Sequence, residues 1–175
     1  MKEHTFCVPI YVYQVKDWEI KKKKLIELFN SFQHKMIGNV ITSPLDIKTN
    51  ILLDEIQLFE KEIKINFYST EVWFQKYENN MSHEVHNHGS TGFSSVCFIE
   101  YDTNYHKPTT FISPFLNFRS GAVERYEPNV KEGDIIFFPS SLLHYAPLNL
   151  SNKVRIVLSF NLFEKDLKGN NFNYQ

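Results

Sequence analysis

The chain has 175 residues and a mass of 20.7 kDa, the size of one ordinary domain with enough material for a packed core. Hydrophobic residues make up 42% and aromatic residues 15%, which excludes a disordered chain. A formal net charge of -1 argues against a general nucleic-acid binder or a membrane-surface protein.

Cys7 and Cys97 stand far apart, in no metal or redox spacing, and read as reduced, buried thiols in a reducing compartment. No apolar run reaches the length of a membrane span. The opening "MKEHTFCVPIYVYQV" lacks the apolar core of a signal peptide. A cytoplasmic protein is the expectation, with no nucleic-acid or membrane partner.

The first predicted element is a strand, "VPIYVYQV". From Asp17 the pattern turns helical, with Trp18, Leu25, Phe29, Phe32 and Met36 on one face and Leu28 beside them. Asp17 can cap this helix and Gly38 can end it. The basic run Lys21 to Lys24 reads as its solvated face. "SPLD" is a loop, and Leu52, Ile56, Phe59 and Ile63 mark a second helix.

After Lys64 the period falls to two. "FYSTEVWFQKY", "HNHGSTGFSSVCFIEYD", "PTTFISPF", "DIIFFP" and "KVRIVLSFNLF" read as strands, punctuated by Gly and Pro. The expectation is a single domain over 1–175 that is mainly β, with helices in 17–63 and the β core in 64–163. Helices followed by many short strands predict an antiparallel sandwich or barrel backed by helices. In the last strand Val154, Ile156, Leu158, Phe160 and Leu162 share an apolar face. Arg155, Val157, Ser159 and Asn161 share the other, which either lines a cavity or meets solvent.

The histidines carry the chemistry. His86 and His88 stand two residues apart, so on extended backbone they share a face while Asn87 points away. His83 lies three residues before His86 and is out of phase. His4, His34 and His106 show no partner pattern. His144 follows a turn at Gly133–Asp134, the strand "IIFFP" and the loop "SSLLH". Three imidazoles can hold a divalent metal and leave coordination positions open. Arg155, eleven residues beyond His144, offers a fixed guanidinium to a carboxylate. These are the parts of a non-haem iron oxygenase that uses a 2-oxoacid.

The segment from Trp73 to Asn161 resembles the 2-oxoglutarate and Fe(II)-dependent oxygenase superfamily, above all its small bacterial and phage members. Their "HxHPxSxLSGVYY" corresponds to "HNHGSTGFSSVCF" here. Their "GxLxxFPSxLxHxVxP…RxSxSFN" corresponds to "GDIIFFPSSLLHYAPLNLSNKVRIVLSFN". The resemblance implies a double-stranded β-helix, a cupin-like jelly roll with helices on one sheet. It implies Fe(II) as cofactor, and 2-oxoglutarate, O2 and a small-molecule or peptide substrate as partners. The implied reaction is hydroxylation of an unactivated C–H bond with release of succinate and CO2. His86, His88 and His144 would bind the metal, with no catalytic side chain beyond them. Arg155 would hold the distal carboxylate of 2-oxoglutarate, assisted by Ser159 or Asn161.

Departures accompany the match. Most of the superfamily has Asp or Glu two residues after the first histidine, where this chain has His88. Either His88 completes the metal set, or a carboxylate such as Glu84 or Asp102 does. Ser94 and Ser95 stand where family members have Ser-Gly, and Cys97 where they have Tyr, changes expected to widen or reline the pocket. Trp73, Tyr77 and Tyr145 can line the site or pack in the core. Two rival classes are a cupin-type metal protein that needs no 2-oxoacid and a metal-free jelly roll that binds a partner or sugar.

Overall fold

A computed structural model describes residues 7–33, 37–38, 40–42 and 50–165. In chain order the elements are β1 (Tyr11–Gln14), α1 (Trp18–Phe32), β2 (Val40–Thr42), α2 (Leu53–Ile63), β3 (Phe67–Tyr77), β4 (His83–His86), β5 (Phe93–Glu100), β6 (Thr110–Leu116), β7 (Val123–Tyr126), β8 (Asp134–Pro139), β9 (His144–Ala146) and β10 (Arg155–Glu164). They build a six-stranded sheet, β1-β8-β5-β10-β3-β2, and a four-stranded sheet, β4-β9-β6-β7. Every paired neighbour is antiparallel. From β5 onward the chain passes back and forth between the sheets, the winding of a double-stranded β-helix.

Alternation along the central strands sorts the core into two layers. On one face of the large sheet, Cys97, Ile135, Phe137, Ile156, Leu158 and Phe160 pack under Leu25 and Phe29 of α1 and Ile56 and Phe59 of α2. Phe59 lies flat on Phe137, with ring centroids 4.5 Å apart. On the other face, Val96, Phe98, Ile136, Phe138 and Val157 meet Phe111 of the small sheet. Both faces of β5, β8 and β10 are therefore covered, which explains their nearly unbroken apolar runs.

The helices form where the 3.6-residue period places them. Asp17 occupies the cap position of α1, but with φ 51° and ψ 42°, and its side chain makes no capping hydrogen bond. A side-chain cap needs an extended backbone at that position; here the Asp17 carbonyl takes the Ile20 and Lys21 N–H groups instead. Met36 lies outside the described residues.

The basic run is not one solvated face. Lys23 and Lys24 are exposed, but Lys21 shares a stripe with Leu25 and Phe29. Its Nζ lies 3.0 Å from both Asp54 and the fully buried Glu55. Lys22 bonds Glu132 at 2.7 Å and Glu100 at 3.2 Å. Two of the four lysines thus pin α1 to α2 and to the large sheet.

Strands β1 and β2 come from the N-terminal region and extend the large sheet beyond the predicted 64–163 span. The predicted strand over 86–102 is divided: β4 ends at His86 and β5 begins at Phe93. Gly92 makes the re-entry with φ +84°, and a Cβ there would strike the Leu162 carbonyl. Among the described residues no helix is long and apolar enough to cross a membrane.

Candidate metal centre

The centre is assembled where β4 meets β9. His86 pairs with His144 and His83 with Ala146, so three steps on β4 match two on β9. That extra residue is a bulge, and it resets the side-chain parity of the strand. His83 therefore reaches the same cavity as His86, with ring centroids 4.1 Å apart and planes at 27°. His88 lies two residues past the end of β4. Its backbone N–H donates to the Ser140 carbonyl at 2.9 Å, and its ring stacks on His144 at 5.1 Å. One ring nitrogen each from His86, His88 and His144 falls within 4.8 Å of the others.

Two of these rings have a defined tautomer. His144 Nδ1 lies 2.9 Å from the Leu142 carbonyl, and His86 Nδ1 lies 2.7 Å from the Glu84 carbonyl. A carbonyl only accepts, so both Nδ1 atoms carry hydrogen and both Nε2 atoms keep a lone pair. Burial drives the His144 pKa down to about 3, against the opposing pull of the Leu142 carbonyl. Burial and the neighbouring His86 and His83 bring His88 to about 4. Both imidazoles are neutral at pH 7. Three imidazole nitrogens in reach of one point suit a borderline divalent metal such as Fe(II).

Arg155 opens β10 and lines the same cavity at 2% exposure. Its Nη1 donates to the Lys107 carbonyl at 2.7 Å and its Nη2 to the Pro147 carbonyl at 3.2 Å. Its Cζ sits 4.2 Å over the Tyr77 ring. Nε is buried without a partner, and among the described residues no carboxylate forms an ion pair with the guanidinium. Burial lowers the Arg155 pKa. The cavity wall also includes Trp73, Gln75, Tyr77, Thr109 and Ser159, and no Asp or Glu. An orphaned donor in a cavity without negative charge fits a carboxylate ligand.

The remaining candidates divide. Ser159 lines the cavity, whereas Asn161 lies outside its wall and accepts a hydrogen bond from Ser94 at 2.8 Å. Trp73 and Tyr77 line it; Tyr145 does not, and Arg125 lies 5.9 Å over its ring. Glu84 is exposed, and Asp102 is bonded to Lys153 at 2.8 Å; neither joins the imidazoles. Ser94, Ser95 and Cys97 do not reline the pocket. Cys97 belongs to the helix-side core, because the wall takes the even positions Val96 and Phe98; Cys7, also expected to be buried, is exposed, because it precedes β1. His106 is structural: its Nδ1 accepts the Asp102 N–H and its Nε2 donates to the Lys153 carbonyl. His83 is a cavity residue that strand parity missed, since parity cannot show a bulge; its partner Gln75, 2.8 Å away, shares the parity of Trp73 and Tyr77.

The sequence profile described as "Putative 2OG-Fe(II) oxygenase" matches residues 71–161, just over half of the chain. No curated protein matches in sequence. Among solved structures the chain is similar to AviO1 from Streptomyces viridochromogenes Tue57, at 10% identity over 91% of both chains with a TM-score of 0.69. It is similar to the epimerase SnoN in complex with Fe3+, alpha ketoglutarate and nogalamycin RO, at 12% identity over 88% of this chain and 78% of that one, TM-score 0.69. A Pseudomonas putida prolyl-4-hydroxylase is similar at 12% identity over 88% of this chain and 91% of that one, TM-score 0.62. At such identities these likenesses speak for the fold. The profile match reaches further, because it spans the imidazoles and Arg155 together: the chain belongs to the 2OG-Fe(II) oxygenase family, with Fe(II) as its metal and 2-oxoglutarate as its co-substrate.

Proposed function

We propose that residues 1–175 form one dioxygenase domain that hydroxylates an unactivated C–H bond of a small-molecule or peptide substrate. The observation that carries this reading is the single cavity joining three imidazoles to a buried guanidinium whose Nε has no partner. His86, His88 and His144 would hold Fe(II). Arg155 would receive the distal carboxylate of 2-oxoglutarate through Nε and one Nη, with Ser159 on the same wall. The bound metal supplies oxidative decarboxylation of 2-oxoglutarate by O2, placing one oxygen atom in succinate and the other in the substrate, with loss of CO2.

The chain's own contribution is positioning and dryness. The Glu84 and Leu142 carbonyls fix the His86 and His144 rings in orientation and tautomer. Val96, Phe98 and Val157 form an apolar wall that excludes water. Three neutral imidazoles leave the metal one unit more positive than two imidazoles and a carboxylate would. That excess charge favours a dianionic co-substrate. Hydroxylation is the simplest outcome, and the similar P. putida prolyl-4-hydroxylase shows that this fold hosts it; SnoN, an epimerase, shows that the fold hosts others.

The test is anaerobic loading with Fe(II), followed by 2-oxoglutarate and O2, with succinate measured by chromatography. Succinate should form in the wild type. His144→Ala should lose both bound Fe(II) and succinate while keeping its circular dichroism spectrum. Iron bound at one equivalent without any succinate would instead identify a metal protein that does not use 2-oxoglutarate. Wild-type Fe(II) affinity in His144→Ala would remove that residue from the ligand set.

A further inference from the structure

His86 and His144 are each steered by a hydrogen bond to their own Nδ1. His88 is different. It lies beyond the end of β4, and among the described residues no hydrogen bond holds its ring, whose centroid rests 5.3 Å from that of Trp73. What fixes its place is the backbone bond from its N–H to the Ser140 carbonyl at 2.9 Å. Ser140 is fully buried, and its own N–H donates to the Gly92 carbonyl at 3.0 Å. Its Oγ lies 2.9 Å from Ser94 Oγ, which lies 2.8 Å from Asn161 Oδ1.

The direction of this chain follows from its far end. Asn161 Oδ1 can only accept, so the Ser94 hydroxyl donates to it. The single Ser94 hydrogen is then committed, so Ser140 must donate to Ser94. Ser140, Ser94 and Asn161 are at most 4% exposed, and none belongs to the cavity wall. Buried hydroxyl groups in a polarised chain hold one geometry, because a break leaves polar atoms without water to replace the lost bond. The chain starts on β10, crosses β5, and ends on the hydroxyl of Ser140, the residue whose carbonyl holds His88.

We propose that Asn161, Ser94 and Ser140 are positioning residues for His88, acting through the Ser140 backbone rather than by touching co-substrate. This rests on His88 being a metal ligand. It gives Asn161 a role behind the cavity in place of direct 2-oxoglutarate binding.

The test is Co(II) titration without 2-oxoglutarate, following the metal's visible absorption. Ser140→Ala and Ser94→Ala should each weaken Co(II) binding about tenfold and alter the absorption band, as partners of metal ligands commonly do. The double variant should be no weaker than the worse single, because both break one chain. Ile135→Val, in the helix-side core, serves as a stability control and should leave affinity unchanged. Wild-type affinity and spectrum in Ser140→Ala, with His88→Ala weakened, would overturn this proposal alone. So would additive losses in the double variant, or equal weakening in Ile135→Val. Wild-type Co(II) affinity in His88→Ala would instead remove His88 from the ligand set, and this proposal with it. Should Ser94→Ala fail to fold, Ser140→Ala decides by the same threshold.

Discussion

Arg155 keeps a full charge at 2% exposure without a carboxylate beside it. Burying an ion costs on the order of several kcal/mol after relaxation. Here two backbone carbonyls and the Tyr77 ring face offset part of that cost and leave Nε open. Arg155→Ala should therefore weaken 2-oxoglutarate binding to the Co(II) form at least about a hundredfold, or roughly 3 kcal/mol. Co(II) affinity itself should hold. Calorimetric titration of both ligands checks this, and unchanged 2-oxoglutarate affinity would exclude Arg155 from the site. At this scale the sequence was informative because its signals were short-range. The eleven-residue step from His144 to Arg155 needed only one turn between strands; strand parity paired His86 with His88, although His88 lies past the end of β4 and takes its place from the Ser140 carbonyl. His83 was hidden because its position depends on a bulge opposite β9, and a bulge leaves no mark in the composition of "SHEVH".

Elements with a strong period were legible, and those stabilised by distant partners were not. Strands β3 and β8 fall on the predicted segments, as does α2, because eight or more residues of periodic pattern or a short bounded apolar run suffice; α1 begins where predicted but ends at Phe32, short of Gly38. Strands β7 and β9 have four and three residues, too few to show a period. The lysine run shows how tertiary partners overrule a local pattern. Lys21 reads as a surface residue until α2 brings the buried Glu55 within 3.0 Å of it. Lys21→Ala would leave Glu55 with the Lys16 N–H at 2.9 Å as its remaining hydrogen-bond donor. The variant should lose about 3 kcal/mol of unfolding free energy. Replacing the pair together, Lys21→Met with Glu55→Met, should recover much of that loss. Urea unfolding of both variants tests the point, and a loss under about 0.5 kcal/mol in Lys21→Ala would show the pair to be energetically idle.

For the whole molecule, the sequence conveyed the order of layers and the motif order but not how the sheets close. Strands β1 and β2 join the large sheet through partners more than thirty residues away in β3 and more than a hundred away in β8, beyond any local signal. The acid response belongs to this scale. Burial lowers the pKa values of His83, His88, His106 and His144 in the folded chain, below the ordinary 6.5. Below pH 6.5 the unfolded chain therefore binds more protons than the folded one, and stability falls as pH falls. For His144 the loss continues down to about pH 3. Asp134, whose pKa burial raises, pulls the other way, but it is one group against four. Metal-free protein should unfold at lower urea at pH 5 than at pH 7. Equal midpoints would contradict the burial of these imidazoles.

The candidate ligand groups are divided between the two sheets. His86 and His144 belong to the small sheet, while Arg155 belongs to the large one, and His88 is moored to the loop that leaves β8. On the proposed reading, 2-oxoglutarate is a tie rod whose two ends are anchored in different layers. Turnover shortens that rod by one carbon. The lost carbon is the carboxylate beside the keto group, so succinate would still reach from one anchor to the other but would grip the metal end with one group fewer, and the reaction would loosen the joint that held its own reactant.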